Sequence, residues 1–177
     1  MSTSGGNLKD TELDEMKNAS FANVVCDANC WFERSRALIA SARISMERVD
    51  ILINHTERQE LESVCYLLYG LALENLFKAV WVYRQYGSPL SENWMPESKF
   101  PKAIQTHDLI KLAESIDSGL LEKYKFTLER LTEAVIWSGR YPCDLKPGFN
   151  VRIFSPSIQE EAESIYSEFR KIFTLSS

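Results

Sequence analysis

The chain has 177 residues, 45% hydrophobic and 25% charged, enough for one domain with a buried core. Its formal net charge is −5, so it has no global attraction for phosphate backbones, and any RNA or nucleotide contact must come from a local basic patch. The opening MSTSGGNLKD has no apolar core, so no secretory signal peptide is expected and the expected compartment is the cytoplasm, with Cys26, Cys30, Cys65 and Cys143 as reduced thiols.

Residues 1–22 are polar and aperiodic and read as a flexible tail; residues 23–177 read as a single domain. From 27 to 55 the apolar residues repeat every seven positions. Trp31, Phe32, Ser35, Leu38, Ile39, Ala42, Met46, Val49, Leu52 and Ile53 make one broad stripe, which predicts a first helix. Arg34, Arg36, Arg43 and Arg48 lie on its other face among Glu33, Glu47 and Asp50, the pattern of a solvated, ion-paired face.

The second helix is predicted over 58–86 and ends at Gly87-Ser88-Pro89. Its Val64–Tyr83 stretch is apolar nearly all round, apart from Glu74, Asn75 and Lys78. A helix without a wet face lies in a bundle centre or a membrane, and the central Glu and Lys argue against a membrane. The short turn before it predicts an antiparallel hairpin with the first helix. Residues 87–105 hold three prolines and predict a loop pinned by Trp94 and Phe100. Thr106 reads as an N-cap for a short third helix, 106–117, with Asp108 in its first turn. Leu121, Tyr124, Leu128, Leu131, Val135 and Ile136 predict a fourth helix, 120–138. A second loop covers 139–155, with Val151–Phe154 as a short extended piece. A fifth helix, 156–174, opens on Pro156. The expected fold class is therefore all-α, an up-and-down bundle built on a long helical hairpin.

Glu74 and Lys78 stand four apart in the favourable ion-pair order. On an apolar helix their charges must be paired or hydrogen-bonded. The structural reading pairs them and ties the third helix's start to Glu74 through His107. The functional reading has Glu74, Lys78, His107 and Arg140 line a pocket for an anionic ligand or nucleotide, with Arg140 suited to phosphate; Asn75, Asp108 and Tyr141 complete the polar cluster, ligand-binding or structural, around them. Cys26 and Cys30 share a spacing of four, but no second pair or nearby His completes a zinc site. No metal or other cofactor is expected.

Three strings, LALENLFKA (71–79), THDLIKLAES (106–115) and LTEAVIWSGRYP (131–142), resemble the HEPN superfamily in order and spacing, over roughly residues 28–173. That resemblance implies a helical bundle, frequently a homodimer, of a kind associated with RNA cleavage, toxin–antitoxin pairs, antiphage defence or nucleotide-handling partners. The family's ribonucleases carry an Arg, four to six residues, then a His late in the bundle. Here GRYPCDLKPGF supplies Arg140 and no His, which removes the usual proton shuttle. Arg48 and His55 have the spacing, but on the first helix, where a separation of seven puts both on the polar face.

The leading expectation is an interaction protein without ribonuclease activity, a homodimer or the partner of a protein encoded nearby. The alternative is a nucleotide- or RNA-binding protein, or a metal-independent ribonuclease, using the Glu74/Lys78/His107/Arg140 cluster or the Arg48/His55 pair.

Overall fold

The structure is a computed structural model that describes residues 7–141 and 155–174. Among the described residues it is all helical, with six helices of eight residues or more. These are α1 (Asn7–Cys26), α2 (Ala28–Ile51), α3 (His55–Tyr86), α4 (Leu109–Ile116), α5 (Gly119–Glu133) and α6 (Pro156–Phe169). A 3-10 turn at Lys102–Ile104, a π turn at Ala134–Ser138 and a last turn at Lys171–Thr174 complete it. The expected extended piece at Val151–Phe154 and the thiol of Cys143 lie outside the described residues.

Helix α3 is the centre of the bundle and packs against α1, α2, α4, α5 and α6. Fourteen of its residues are buried, among them Tyr69, Leu73, Leu76, Phe77 and Val80. By length and composition it could cross a membrane, but 72% of its most apolar 18-residue window is buried inside the bundle. Its main partner is α2, which buries Ala28, Phe32, Ser35, Ile39, Ala42 and Val49. Small residues bring the two backbones close, and the Ser35 hydroxyl donates to the Ala72 carbonyl at 2.7 Å.

The hairpin turn differs from the expectation. The first long helix stops at Ile51 rather than at 55, and α3 starts at His55. The Asn54 side chain causes the break, accepting from the amides of Thr56 and Glu57 at 3.0 and 3.1 Å as an N-cap. Ile53 therefore leaves the core stripe and is 99% exposed.

Residues 7–26, most of them expected within a tail, form α1. It is anchored at its end by the buried Ala22, Val25 and Cys26, while Leu13, Met16, Phe21 and Val24 are exposed. Leu13, Met16 and Phe21, its largest apolar residues, face outward, so this helix gives no core stripe to read.

Two further differences have local causes. Helix α4 begins at Leu109, because Asp108 is its N-cap and accepts from Ile110 and Lys111, while Thr106 accepts from the amide of Asp108. The fourth predicted helix widens into the π turn at its end, where the Gly139 amide donates to the Ala134 carbonyl at 3.1 Å. This rotates Ile136 outward, to 51% exposure. Glycines allow the close packing of this region on α3. A Cβ on Gly70 would stand 2.5 Å from Val135 Cγ2 and 2.9 Å from the Leu131 carbonyl; one on Gly139 would stand 2.7 Å from both Leu67 Cβ and the Ala134 carbonyl.

Candidate functional site

Glu74 and Lys78 follow each other by one turn on α3, between Trp31 of α2 and His107 ahead of α4. Lys78 Nζ donates to Glu74 Oε1 at 2.7 Å, and both residues are buried, 4% and 5% exposed. His107, just ahead of α4, places Nδ1 at 3.0 and 3.1 Å from the two Glu74 oxygens. Its side chain is 61% exposed, so the imidazole closes the cluster from outside. Trp31 of α2 forms another wall, with its ring centroid 5.5 Å from Lys78 Nζ. The Trp31 indole donates to the Val25 carbonyl at 2.9 Å, and its ring meets the edge of Phe100 at 6.0 Å. The ion pair thus ties α3 to Trp31 of α2 and to His107 ahead of α4, and Trp31 in turn reaches the end of α1 and the loop. Asn75 is turned away, donating to the Leu71 carbonyl at 2.8 Å.

Arg140 and Tyr141 are not part of this cluster. The Ser138 carbonyl accepts from Ser63 at 3.0 Å, and Gly139 lies against Leu67. Those contacts lie seven to eleven residues before Glu74 on α3, roughly 10–16 Å along the axis. Arg140 is exposed, and no hydrogen bond or ion pair joins it to Glu74, Lys78 or His107 among the described residues. Tyr141 stacks on Trp137 with centroids 4.3 Å apart. Asp108 caps α4 and pairs with Lys111 at 3.1 Å. The expected four-residue pocket is thus a three-residue cluster, with Arg140 elsewhere.

The Arg48/His55 expectation also needs correction. Arg48 is in the last turn of α2 and His55 is the first residue of α3, on opposite sides of the turn that Asn54 caps. They do not share a helix face. Both are exposed, and no hydrogen bond joins them.

A second polar group had no local signal in the sequence. Glu163 of α6 accepts two bonds from Arg43 of α2, at 2.8 and 2.6 Å, and one from the Tyr69 hydroxyl at 3.2 Å. Arg43 also lies over the Tyr166 ring, at 5.6 Å. Burial, reinforced by Glu163, pushes the Tyr69 phenol far above its usual range, so it remains a neutral donor. Burial likewise pushes the Cys65 thiol up to about 11, which leaves it without reactive thiolate at neutral pH. Cys26, Cys30 and Cys65 are free thiols, and among the described residues no group of three His, Cys, Asp or Glu side chains is placed to hold a metal ion.

No family model, curated protein or solved structure matches this chain. The imidazole of His107 is oriented by a carboxylate, the arrangement a general base needs. The carboxylate is shared between that imidazole and the buried Lys78.

Proposed function

We propose that this chain is a non-catalytic interaction module, a helical bundle of HEPN type acting in the cytoplasm through association with itself or with a partner protein. The observation that carries this reading is the closure of the polar cluster. Glu74 and Lys78 are buried against each other, His107 seals Glu74, and Arg140, the residue best suited to a phosphate, stands apart. A ligand site needs free donors or acceptors facing an opening, whereas here Glu74 and Lys78 are buried against each other and only the His107 imidazole reaches solvent. The absence of a His after Arg140 supports the same reading, since the chain's two His stand at 55 and 107. The HEPN part of the proposal rests on the three sequence strings together with the all-helical bundle. Toxin–antitoxin and antiphage roles belong to the resemblance.

The test is incubation of the purified full chain with a mixed RNA pool. No cleavage is expected. Cleavage that disappears in His55→Ala would overturn the reading in favour of an Arg48/His55 ribonuclease. Cleavage that disappears in His107→Ala would instead make the Glu74–His107 pair the working group.

A further inference from the structure

The outward face of α2 is patterned for a partner, and its pattern names that partner. Opposite the buried Phe32, Ser35, Ile39, Ala42 and Val49 runs an exposed stripe at seven-residue spacing: Cys30, Ala37, Ile44 and Ile51. Ile44 is 67% exposed and Ile51 is 64% exposed, so this is apolar surface left in water. On one side of the stripe stand Glu33, Ala40 and Glu47; on the other stand Arg34, Ser41 and Arg48. One flank is acidic, the other basic, and the middle of both is small. Arg34, Glu47 and Arg48 have no ion-pair partner among the described residues, while Glu33 is paired with Arg36 at 2.7 Å.

Such a face complements itself. When two copies of one helix pack in parallel about a two-fold axis, the left flank of one faces the right flank of the other. Glu33 then meets Arg34, and Glu47 meets Arg48, on both sides of the seam. In an antiparallel pair each flank meets its own kind, and Glu33 would face Glu47 while Arg34 faced Arg48. The charges thus select one orientation, although each exposed pair adds little affinity. The drive comes from Ile44 and Ile51, and Ala37, Ala40 and Ser41 allow the backbones to approach. A spacing of seven suits the shallow left-handed crossing of paired helices.

We infer that a second copy of this chain docks on this face, with the two α2 helices parallel and Cys30, Ala37, Ile44 and Ile51 each meeting its own counterpart across the two-fold axis. This rests on the reading of the chain as an interaction module and names its partner as the chain itself.

The experiment measures the mass of the full chain by sedimentation equilibrium across micromolar concentrations. The expected mass is twice the 20.3 kDa of one copy. Ile44→Asp, an exposed change that should leave the melting temperature near that of the parent, weakens the dimer about tenfold or more. Arg48→Glu also weakens it, and adding Glu47→Arg to that variant restores it, because acid and base then exchange flanks. Mild copper-catalysed oxidation yields a reducible covalent dimer that Cys30→Ser abolishes, since facing seam positions lie about 6 Å apart, within disulfide range. A mass of one copy throughout overturns the inference. So does a dimer that ignores Ile44→Asp and does not cross-link through Cys30, and so does a dimer that the double charge exchange fails to restore. None of these results produces RNA cleavage, so failure here is distinguishable from failure of the module reading.

Discussion

Glu74→Ala is expected to lower stability by about 3–5 kcal/mol, because it leaves Lys78 buried with no carboxylate to receive it. For a chain of this size that corresponds to a fall in melting temperature of roughly 6–20 °C. Lys78 Nζ lies 2.7 Å from Glu74, and the nearby Trp31 ring face is a much weaker substitute. The penalty belongs to the stranded charge rather than to the pair, which gives a second expectation. Replacing both partners at once, as Glu74→Leu with Lys78→Met, should recover most of the loss, because two apolar side chains of similar volume carry no desolvation cost. His107 loses its partner in the double variant at little cost, since it is mostly exposed and water can take the vacant position. Arg140→Ala should melt with the parent. Thermal unfolding of the four proteins decides the matter, and a Glu74→Ala variant as stable as the parent would remove the structural role assigned to the cluster.

Gly70→Ala is expected to destabilise by about 1–3 kcal/mol although alanine is the better helix former. The new methyl would sit 2.5 Å from Val135 Cγ2 and 2.9 Å from the Leu131 carbonyl oxygen. Neither neighbour gives way easily: valine is held in one rotamer by its branched Cβ, and the carbonyl belongs to the backbone. The helices must therefore separate, at the expense of Leu73, Leu128 and Leu131, which are fully buried nearby. Pairing Gly70→Ala with Val135→Ala removes the shorter contact and should return part of the stability. A single Gly70→Ala variant that melts above the parent would show that α5 does not pack on α3 this closely.

The legible parts of the fold were those written in periodic, local code. Phe32, Ile39, Ala42 and Val49 on α2, and Tyr124, Leu128 and Leu131 on α5, fall in the stripes that their spacing predicts. Glu74 with Lys78 was legible for the same reason, since their spacing of four makes them neighbours on any helix. His107 was the one histidine close to that cluster in the expected topology. Three kinds of feature were not legible. Asn54 ends one long pattern and starts another without disturbing its period, so the turn was placed too late. The π turn adds one residue to a helical repeat and moves Ile136 out of the core, which no pattern of apolar residues reveals. Arg43, Tyr69 and Glu163 meet from three helices, the first and the last 120 positions apart in the chain. Arg140 was misplaced because sequence order near the end of the bundle carries no information on how far along α3 it docks.

The three-residue turn between α2 and α3 sets the order in which the molecule assembles. The most extensive interface of the fold joins two helices adjacent in the chain, so bringing them together costs little loop-closure entropy. Contacts of low sequence separation form early, and this hairpin is the natural folding nucleus. Helix α6 must find α3 from about ninety residues away, as the bond from the Tyr66 hydroxyl to the Ser155 carbonyl illustrates. Its docking is therefore expected after the transition state. Ile39→Val, in the hairpin, should chiefly slow refolding, whereas Ile165→Val, on α6, should chiefly speed unfolding. Stopped-flow measurement of both limbs separates the two, and equal slowing of refolding by both would show that α6 joins before the barrier is crossed.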